Sequence, residues 1–104
     1  MSAAANPWRG EAMLPIGGID HVLRPSFTAL VAAEEEIGPL FALVERAGGG
    51  QLRLQEMAAL FWHCLDNREG VTRDDVGDAV LHLGLSGCAA PLRQLLGQIL
   101  QGRA

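Results

Sequence analysis

A glycine pair flanked by isoleucines constrains the start of this chain more than any other feature of its sequence. Gly17 and Gly18 can adopt the positive φ angles that a two-residue hairpin turn requires, and an isoleucine lies on either side of them. The pattern predicts an antiparallel β-hairpin over residues 10–24. If the isoleucines close the turn, the opposed residues are Ile16 with Ile19, Leu14 with His21, and Ala12 with Leu23.

This register assigns the side chains of the hairpin to two faces. One face is apolar and consists of Ala12, Leu14, Ile16, Ile19 and Leu23. The charged side chains lie mostly on the other face and are Glu11, Asp20 and Arg24. Pro15 has no backbone N–H, so the first strand must be an edge strand or contain a bulge. Since an isolated hairpin is barely stable in water, the apolar face must pack on the rest of the chain.

Glycine and proline divide the remainder of the chain into short helical segments. Ser26 is suited to cap a first helix, which Gly38 ends, and Pro39 opens the next one. The predicted helices span residues 27–37, 39–47, 54–65, 73–83 and 89–101. The fold class is therefore α+β, mostly α, with an N-terminal β-hairpin packed on a bundle of four to five short helices. Residues 1–9 are expected to form a flexible segment, and residues 10–104 a single domain.

Two of these helices have notable apolar faces. The third carries one stripe of Leu54, Met57, Ala58, Phe61 and Leu65, which Leu60 and Trp62 widen around most of the helix. Such a helix is typical of the centre of a domain or of half an interface. The last helix has a single face made of Leu92, Leu95, Leu96, Ile99 and Leu100. A capping box of Thr72 and Asp75 begins the helix between them.

Composition argues against binding to nucleic acid or membranes. The net charge is −4, and all eight basic residues are arginines that never form a stripe, whereas a nucleic-acid binder needs clustered positive charge. The longest unbroken apolar run is Met57 to Trp62, much shorter than the roughly 20 residues that cross a bilayer. With no signal peptide pattern, the expected location is the cytoplasm.

No metal site, cofactor site or active site is expected. His63 and Cys64 are neighbours on a helix and point about 100° apart, so they cannot easily share an ion, and Cys64 is better explained as core. His82 and Cys88 are the other two potential soft metal ligands in this half of the chain. At Cys88 a buried or incidental thiol is expected.

The acidic and glycine-rich segments do not indicate a site either. A calcium loop around Gly70 fails because its first and last ligand positions would be leucine and valine. The run Glu34 to Glu36 is interpreted as a solvated face, with Glu34 at the edge of the core or paired with an arginine such as Arg24. Without a convergent set of polar groups, we expect no enzyme.

Apolar surface remains as the feature that could carry function. Trp62 lies on the very apolar third helix, and Trp8 lies near the N-terminus. Either tryptophan can be explained by ordinary packing. If they are exposed, each would be a good anchor for a partner protein, because tryptophan is enriched at interface hot spots.

Several segments resemble a small family of tail proteins from phages and gene transfer agents of α-proteobacteria, grouped with the tail assembly chaperones. The resemblance covers nearly the whole chain and rests on residues 6–11, the Gly17-Gly18 turn, residues 21–27, 52–54 and 56–58, and the pairs Val71-Thr72 and Gly84-Leu85. Ile19 and Arg53 depart from it, since a polar residue beside the turn and a Ser or Thr helix cap are expected at these positions. The residues that carry the resemblance are turn and cap residues rather than catalytic ones.

The resemblance implies a role in building a tail. Such chaperones hold tail components, notably the tape-measure or tail-tube protein, until the tube polymerises. A client helix would then lie in an apolar groove through anchors at i, i+3, i+4 and i+7. The candidate interface residues are Trp8, Trp62, Leu92, Leu96 and Ile99. The last helix would either line that groove or itself be a helix that is donated to an apolar groove on another protein.

Other readings of the sequence stay open. The protein could be a structural subunit retained in the tail, joined to its neighbours by strand addition at the hairpin edge. It could also be an unrelated small adaptor. Self-association would follow if a large leucine patch were exposed.

Overall fold

The computed structural model describes residues 11–102 and confirms the predicted α+β class, mostly α, with an N-terminal hairpin. The elements are β1 (Ala12–Ile16), β2 (Ile19–Leu23), α1 (Phe27–Ile37), α2 (Leu40–Gly48), α3 (Leu54–Cys64) and α4 (Arg73–Gln101). Trp8 and the predicted flexible segment 1–9 lie outside the described residues.

The hairpin has the predicted register. Ile16 pairs with Ile19 across the turn, and Ala12 pairs with Leu23 at the open end. Gly17 and Gly18 have φ angles of 60° and 82°, as the favoured two-residue turn requires. β1 packs on α4, and this contact buries the apolar face that an isolated hairpin would expose.

Two side chains of the hairpin differ from the prediction. Ile19 is on the apolar face but is 65% exposed, because the helices leave the end of the hairpin uncovered. Glu11, expected on the solvated face, is 3% exposed and accepts a hydrogen bond from Arg24 Nε at 2.9 Å. Arg24 also pairs with Asp66 at 2.9 Å, so a carboxylate on each side neutralises this guanidinium.

α1 is held to the core by small residues. Ser26 caps it as predicted, since its hydroxyl accepts from the Ala29 N–H at 3.2 Å, and Gly38 ends it with a φ of 91°. The buried residues of α1 are Ala29 and Ala33, which let it lie close to α3. Phe27, the first residue of α1, is 83% exposed.

α3 is the central helix of the bundle, one of the two positions that its apolar circumference indicated. It packs against both α1 and α4, and its buried residues are Met57, Ala59, Leu60, Phe61 and Cys64. Arg53 occupies the cap position before the helix. Its side chain has no hydrogen-bond acceptor for the backbone N–H groups of the first helical turn. The Glu56 carboxylate instead accepts from the Arg53 N–H at 3.0 Å and from Arg46 at 2.6 Å, joining α2 to the start of α3.

α4 contains two helical segments that meet at Gly84. The capping box is present, because Thr72 Oγ1 accepts from the Asp75 N–H at 3.1 Å and Asp75 accepts from the Thr72 N–H at 2.9 Å. Gly84 has φ 78° and ψ 163°, which ends the first segment where predicted. The second segment follows at once, so helical residues begin at Leu85 rather than near residue 89. Leu100, assigned to its buried face, is 59% exposed.

Candidate protein-binding groove

An open groove of about 870 Å³ lies between the tip of the hairpin and the first segment of α4. Residues 15–19 of the hairpin form one wall and residues 75–83 of α4 the other, while residues 69–71 close one side. The tip of the hairpin is open to solvent here: Gly17, Gly18 and Ile19 are all exposed and line the groove.

Apolar side chains form part of the groove lining. Ile16 and Ala79 are 7% and 6% exposed and belong to the core. Leu83 and Val71 also line the groove and pack against that core. The groove therefore presents apolar side chains that are continuous with the core.

The polar residues of the groove are predominantly acidic. Three carboxylates line it, those of Glu69, Asp75 and Asp78, together with His21 and His82. Asp75 is already engaged in the helix cap, but Glu69 and Asp78 are exposed. The described lining contains no arginine that would neutralise its negative charge.

Three arginines are instead paired with acidic residues elsewhere in the structure. Arg24 bridges Glu11 and Asp66, and the other two pairs are Arg46 with Glu56 and Arg73 with Glu36. Arg68 lies over the Trp62 ring at 5.0 Å from its centroid. These contacts hold elements of the fold together, so the acidic character of the groove is a consequence of where the arginines are used.

The edges of the hairpin limit how a partner can bind. On β2, the Val22 carbonyl accepts from Asp66 N–H at 2.9 Å and the Arg24 N–H donates to the Cys64 carbonyl at 2.6 Å, which covers the outer edge at that end. On β1, alternation from the closing pair directs Pro15 outward, where it has no N–H to donate. Pairing of a further strand along either edge is therefore restricted.

Trp62, a predicted interface residue, belongs to a polar cluster between α1, α3 and α4. Arg73 lies over its ring at 5.4 Å and donates two hydrogen bonds of 2.6 Å to Glu36. His63 Nε2 is 2.8 Å from the same carboxylate. Arg73, followed by His63, lowers the pKa of Glu36 to about 2. In this arrangement the cluster ties three helices together.

The three predicted interface residues of α4 lie on its core side. Leu92, Leu96 and Ile99 are partly buried and pack against the core, away from the groove lining. Sequence reasoning missed the groove, since Ile19 was assigned to the core. The one available signal was the spacing of Asp78 and His82, which puts two polar side chains on the same face of α4.

The cysteines are buried, as expected for core residues. Cys64 and Cys88 are 1% and 0% exposed. Burial raises the pKa of the Cys64 thiol to about 12 and also raises the pKa of Cys88. Both are protonated near neutral pH and are poor nucleophiles or metal ligands. Among residues 11–102, no histidine, cysteine and carboxylate side chains are grouped so as to hold a metal ion.

The fold and the groove define a small α+β protein in which a hairpin and a kinked helix enclose an apolar, acid-lined groove. Compared with models of known families, residues 9–102 match the family described as "Phage tail tube protein, GTA-gp10". The chain belongs to this family of phage and gene transfer agent tail proteins, in agreement with the resemblance seen in its sequence. No curated protein and no solved structure matches it. None of the helices in the described part of the chain has the length and hydropathy needed to cross a membrane.

Proposed function

We propose that this protein is a protein-binding accessory factor in phage-like tail assembly, which holds a tape-measure or tail-tube protein before the tube polymerises. The observation that carries the proposal is the open groove between the hairpin and α4, with its apolar lining and its exposed Ile19. Family membership supports a client from the tail. The groove supports binding to a segment that would otherwise expose apolar surface.

The groove suits a role in holding a client rather than in forming a permanent joint. It is open to solvent and lined by acidic as well as apolar residues. Interfaces that assemble and separate are more polar than obligate ones. A client segment can therefore be shielded from solvent while it is bound. Its later release does not expose a large apolar face on this protein.

The proposal assigns no catalytic activity to the chain. Its two thiols are buried, and burial raises the pKa of each. The carboxylates of Glu36 and Glu56 are engaged by arginines, which lower the pKa of each to about 2. Groups in these states are unsuited to nucleophilic or acid–base catalysis near neutral pH.

A second candidate function is that of a structural subunit retained in the tail. The description of the family as a tail tube protein favours it. Because the hairpin edges restrict strand addition, such a subunit would contact its neighbours through exposed apolar side chains on the helices. Among the described residues, the most exposed of these are Phe27, Phe41, Leu81 and Leu85.

The location of the protein during and after assembly tests the proposal. Tagged protein is captured from cells that produce particles, the bound tail proteins are identified by mass spectrometry, and purified particles are analysed in parallel. An accessory factor binds the tape-measure or tail-tube protein in the lysate and is absent from particles. Stoichiometric presence in particles would instead establish the structural role.

A matched pair of substitutions tests the groove in the same capture experiment. Ile19 and Leu100 are similarly exposed, at 65% and 59%, but only Ile19 lines the groove. We expect Ile19→Glu to reduce capture of the tail protein severalfold and Leu100→Glu to leave it unchanged. Equal capture by the two variants would place the client elsewhere on the molecule.

A further inference from the structure

We propose that the groove accepts a cationic amphipathic helix, supplied by the tail protein that this chain holds. The inference rests on the proposed function for the origin of the partner. The chemistry of the partner follows from three properties of the groove, which are the charge around it, the backbone groups beside it and its length.

Charge selects a basic partner. Glu69 and Asp78 lie exposed at the groove, and no described lining residue is an arginine that would neutralise them. Moreover, the net charge of the chain is −4, so the electrostatic field of the whole protein does not reverse the negative potential at the groove. Arginine or lysine side chains on a partner would therefore be attracted to both carboxylates, whereas acidic ones would be repelled.

The backbone of the hairpin selects a helix over an extended strand. An extended segment leaves its backbone N–H and C=O groups in need of partners, and a sheet edge normally supplies them. Here Pro15 removes a donor from the β1 edge, and Asp66 and Cys64 occupy part of the β2 edge. A helix satisfies its own backbone and needs only side-chain contacts from the groove.

The length of the groove sets the number of anchors. The α4 wall runs from Asp75 to Leu83, which at 1.5 Å per residue is about 12 Å, or roughly two helical turns. Two turns of a partner helix present apolar side chains at i, i+3 or i+4, and i+7 on one face. These would contact Ile16, Ile19 and Leu83, while basic residues beside them would reach the carboxylates.

Designed peptides provide the probe. One labelled peptide of about 18 residues has leucines at i, i+3, i+4 and i+7 flanked by arginines, and its partner has glutamates in place of the arginines. Binding to the full chain is followed by fluorescence anisotropy at pH 8, where ordinary histidines are neutral. We expect about tenfold tighter binding of the arginine peptide, and weaker binding as salt rises from about 0.05 to about 0.5 M.

Two double variants separate the groove from general electrostatics. Glu69→Gln with Asp78→Asn removes the carboxylates that line it, and Glu35→Gln with Asp74→Asn removes the same charge from exposed positions outside its lining. We expect the first pair to weaken binding of the arginine peptide roughly threefold to tenfold, and the second by less than about twofold. All four positions are on the surface, so both variants should fold, as far-UV circular dichroism will verify.

Failure of this inference is distinguishable from failure of the proposed function. Equal binding of the two peptides, or equal loss in the two double variants, would overturn the cationic-helix assignment. If cells expressing the Glu69→Gln, Asp78→Asn variant still yield as much captured tail protein as wild type, the client does not use this groove, although the assembly role stands. Selective peptide binding with no tail protein captured would retain the groove and overturn the tail role.

Discussion

Glu36 and Glu34 show how single side chains in the acidic run connect helices. Glu36 accepts from Arg73 of α4 and lies beside His63 of α3, while Glu34 Oε2 accepts from the Leu40 N–H at 3.0 Å and joins α1 to α2. Glu34 is exposed at the edge of the core. This position is one of the two predicted alternatives, the other being a pair with an arginine. All three glutamates are exposed, in agreement with the interpretation of the run as a solvated face. The partners of Glu36 come from segments distant in sequence, so this contact was not predicted.

These contacts predict a loss of stability in acid. Arg73 and His63 lower the pKa of Glu36 from 4.5 to about 2, and Arg46 does the same to Glu56. A depressed pKa means that the folded state favours the ionised carboxylate, so its contribution is present above pH 4.5 and is lost as pH falls towards 2. We expect the urea midpoint to decrease over this interval.

The double variant Glu36→Gln, Glu56→Gln is the control for this prediction. It lacks both carboxylates, so its urea midpoint should be lower than that of wild type at neutral pH and should change less between about pH 5 and pH 2.5. If wild type and variant lose stability in parallel over that interval, other groups are responsible for the acid sensitivity.

At the scale of elements, α4 depends on one glycine for its shape. Gly84 combines a φ of 78° with a ψ of 163°, a region that residues with a side chain almost never occupy. A Cβ at this position would meet no atom within 4 Å, so the constraint is on the backbone alone. The kink separates the groove-forming segment from the segment that carries Leu92 and Leu95.

Gly84→Ala should therefore destabilise the protein by about 1–3 kcal/mol, through backbone strain rather than a clash. Gly77→Ala is the matched control, because Gly77 lies in the first segment of α4 and also has no atom within 4 Å of an added Cβ. Alanine there should be neutral or stabilising by up to about 1 kcal/mol. Equal unfolding free energies for the two variants would contradict a requirement for glycine at the kink.

The last segment of α4 predicts opposite outcomes for two leucines. Leu96 packs against the core and Leu100 is 59% exposed. We expect Leu96→Gln to lower the free energy of unfolding by about 1–3 kcal/mol, since it places a polar group against apolar neighbours. Leu100→Gln should remain within about 0.5 kcal/mol of wild type in urea unfolding. A larger loss for Leu100→Gln would show that its side chain is covered in solution.

On the scale of the whole molecule, the core is organised around α3. This helix packs against α1 and α4, and the segment that follows it covers the outer edge of β2. Phe61 is among its fully buried side chains. The hairpin in turn packs through β1 on α4, which leaves its tip uncovered and creates the groove.

Phe61→Ala should cost about 3–5 kcal/mol, a large part of the 5–15 kcal/mol typical of such a domain. Phe27→Ala makes the same change at a side chain that is 83% exposed and should cost less than about 0.5 kcal/mol. Both are measured by urea unfolding. Similar losses at the two positions would be inconsistent with Phe61 at the centre of the core and Phe27 on its surface.

Much of the fold was predictable because it depends on neighbours in the sequence. The turn at Gly17, the cap at Ser26 and the stop at Gly84 each follow from the backbone preferences of a few adjacent residues. The start of the last helical segment was not predictable in this way. Pro91 and the glycines before it are poor helix formers, yet packing around the buried Cys88 and Leu95 accompanies helix from Leu85 onward.

The candidate site was predictable only in its chemistry. An apolar binding surface was expected, but the groove combines Ile19 of the hairpin with Asp78 and Leu83 of α4, which are far apart in sequence. Their proximity arises from the packing of β1 on α4. The predicted residues Leu92, Leu96 and Ile99 have the spacing of a binding helix, but the same spacing is required of a helix that packs on its own core.

By itself, the sequence determined the hairpin, its register, the helix caps and the α+β class, because these result from turn geometry and hydrogen bonds over a few residues. Only the tertiary structure decided which apolar residues are covered: Phe27, Ile19 and Leu100 are exposed, while Ala29 and Ala33 are buried. Burial depends on what other elements place against a side chain. The acid-lined groove has the same origin, since it forms between the tip of the hairpin and the first segment of α4, which the packing of β1 on α4 brings together.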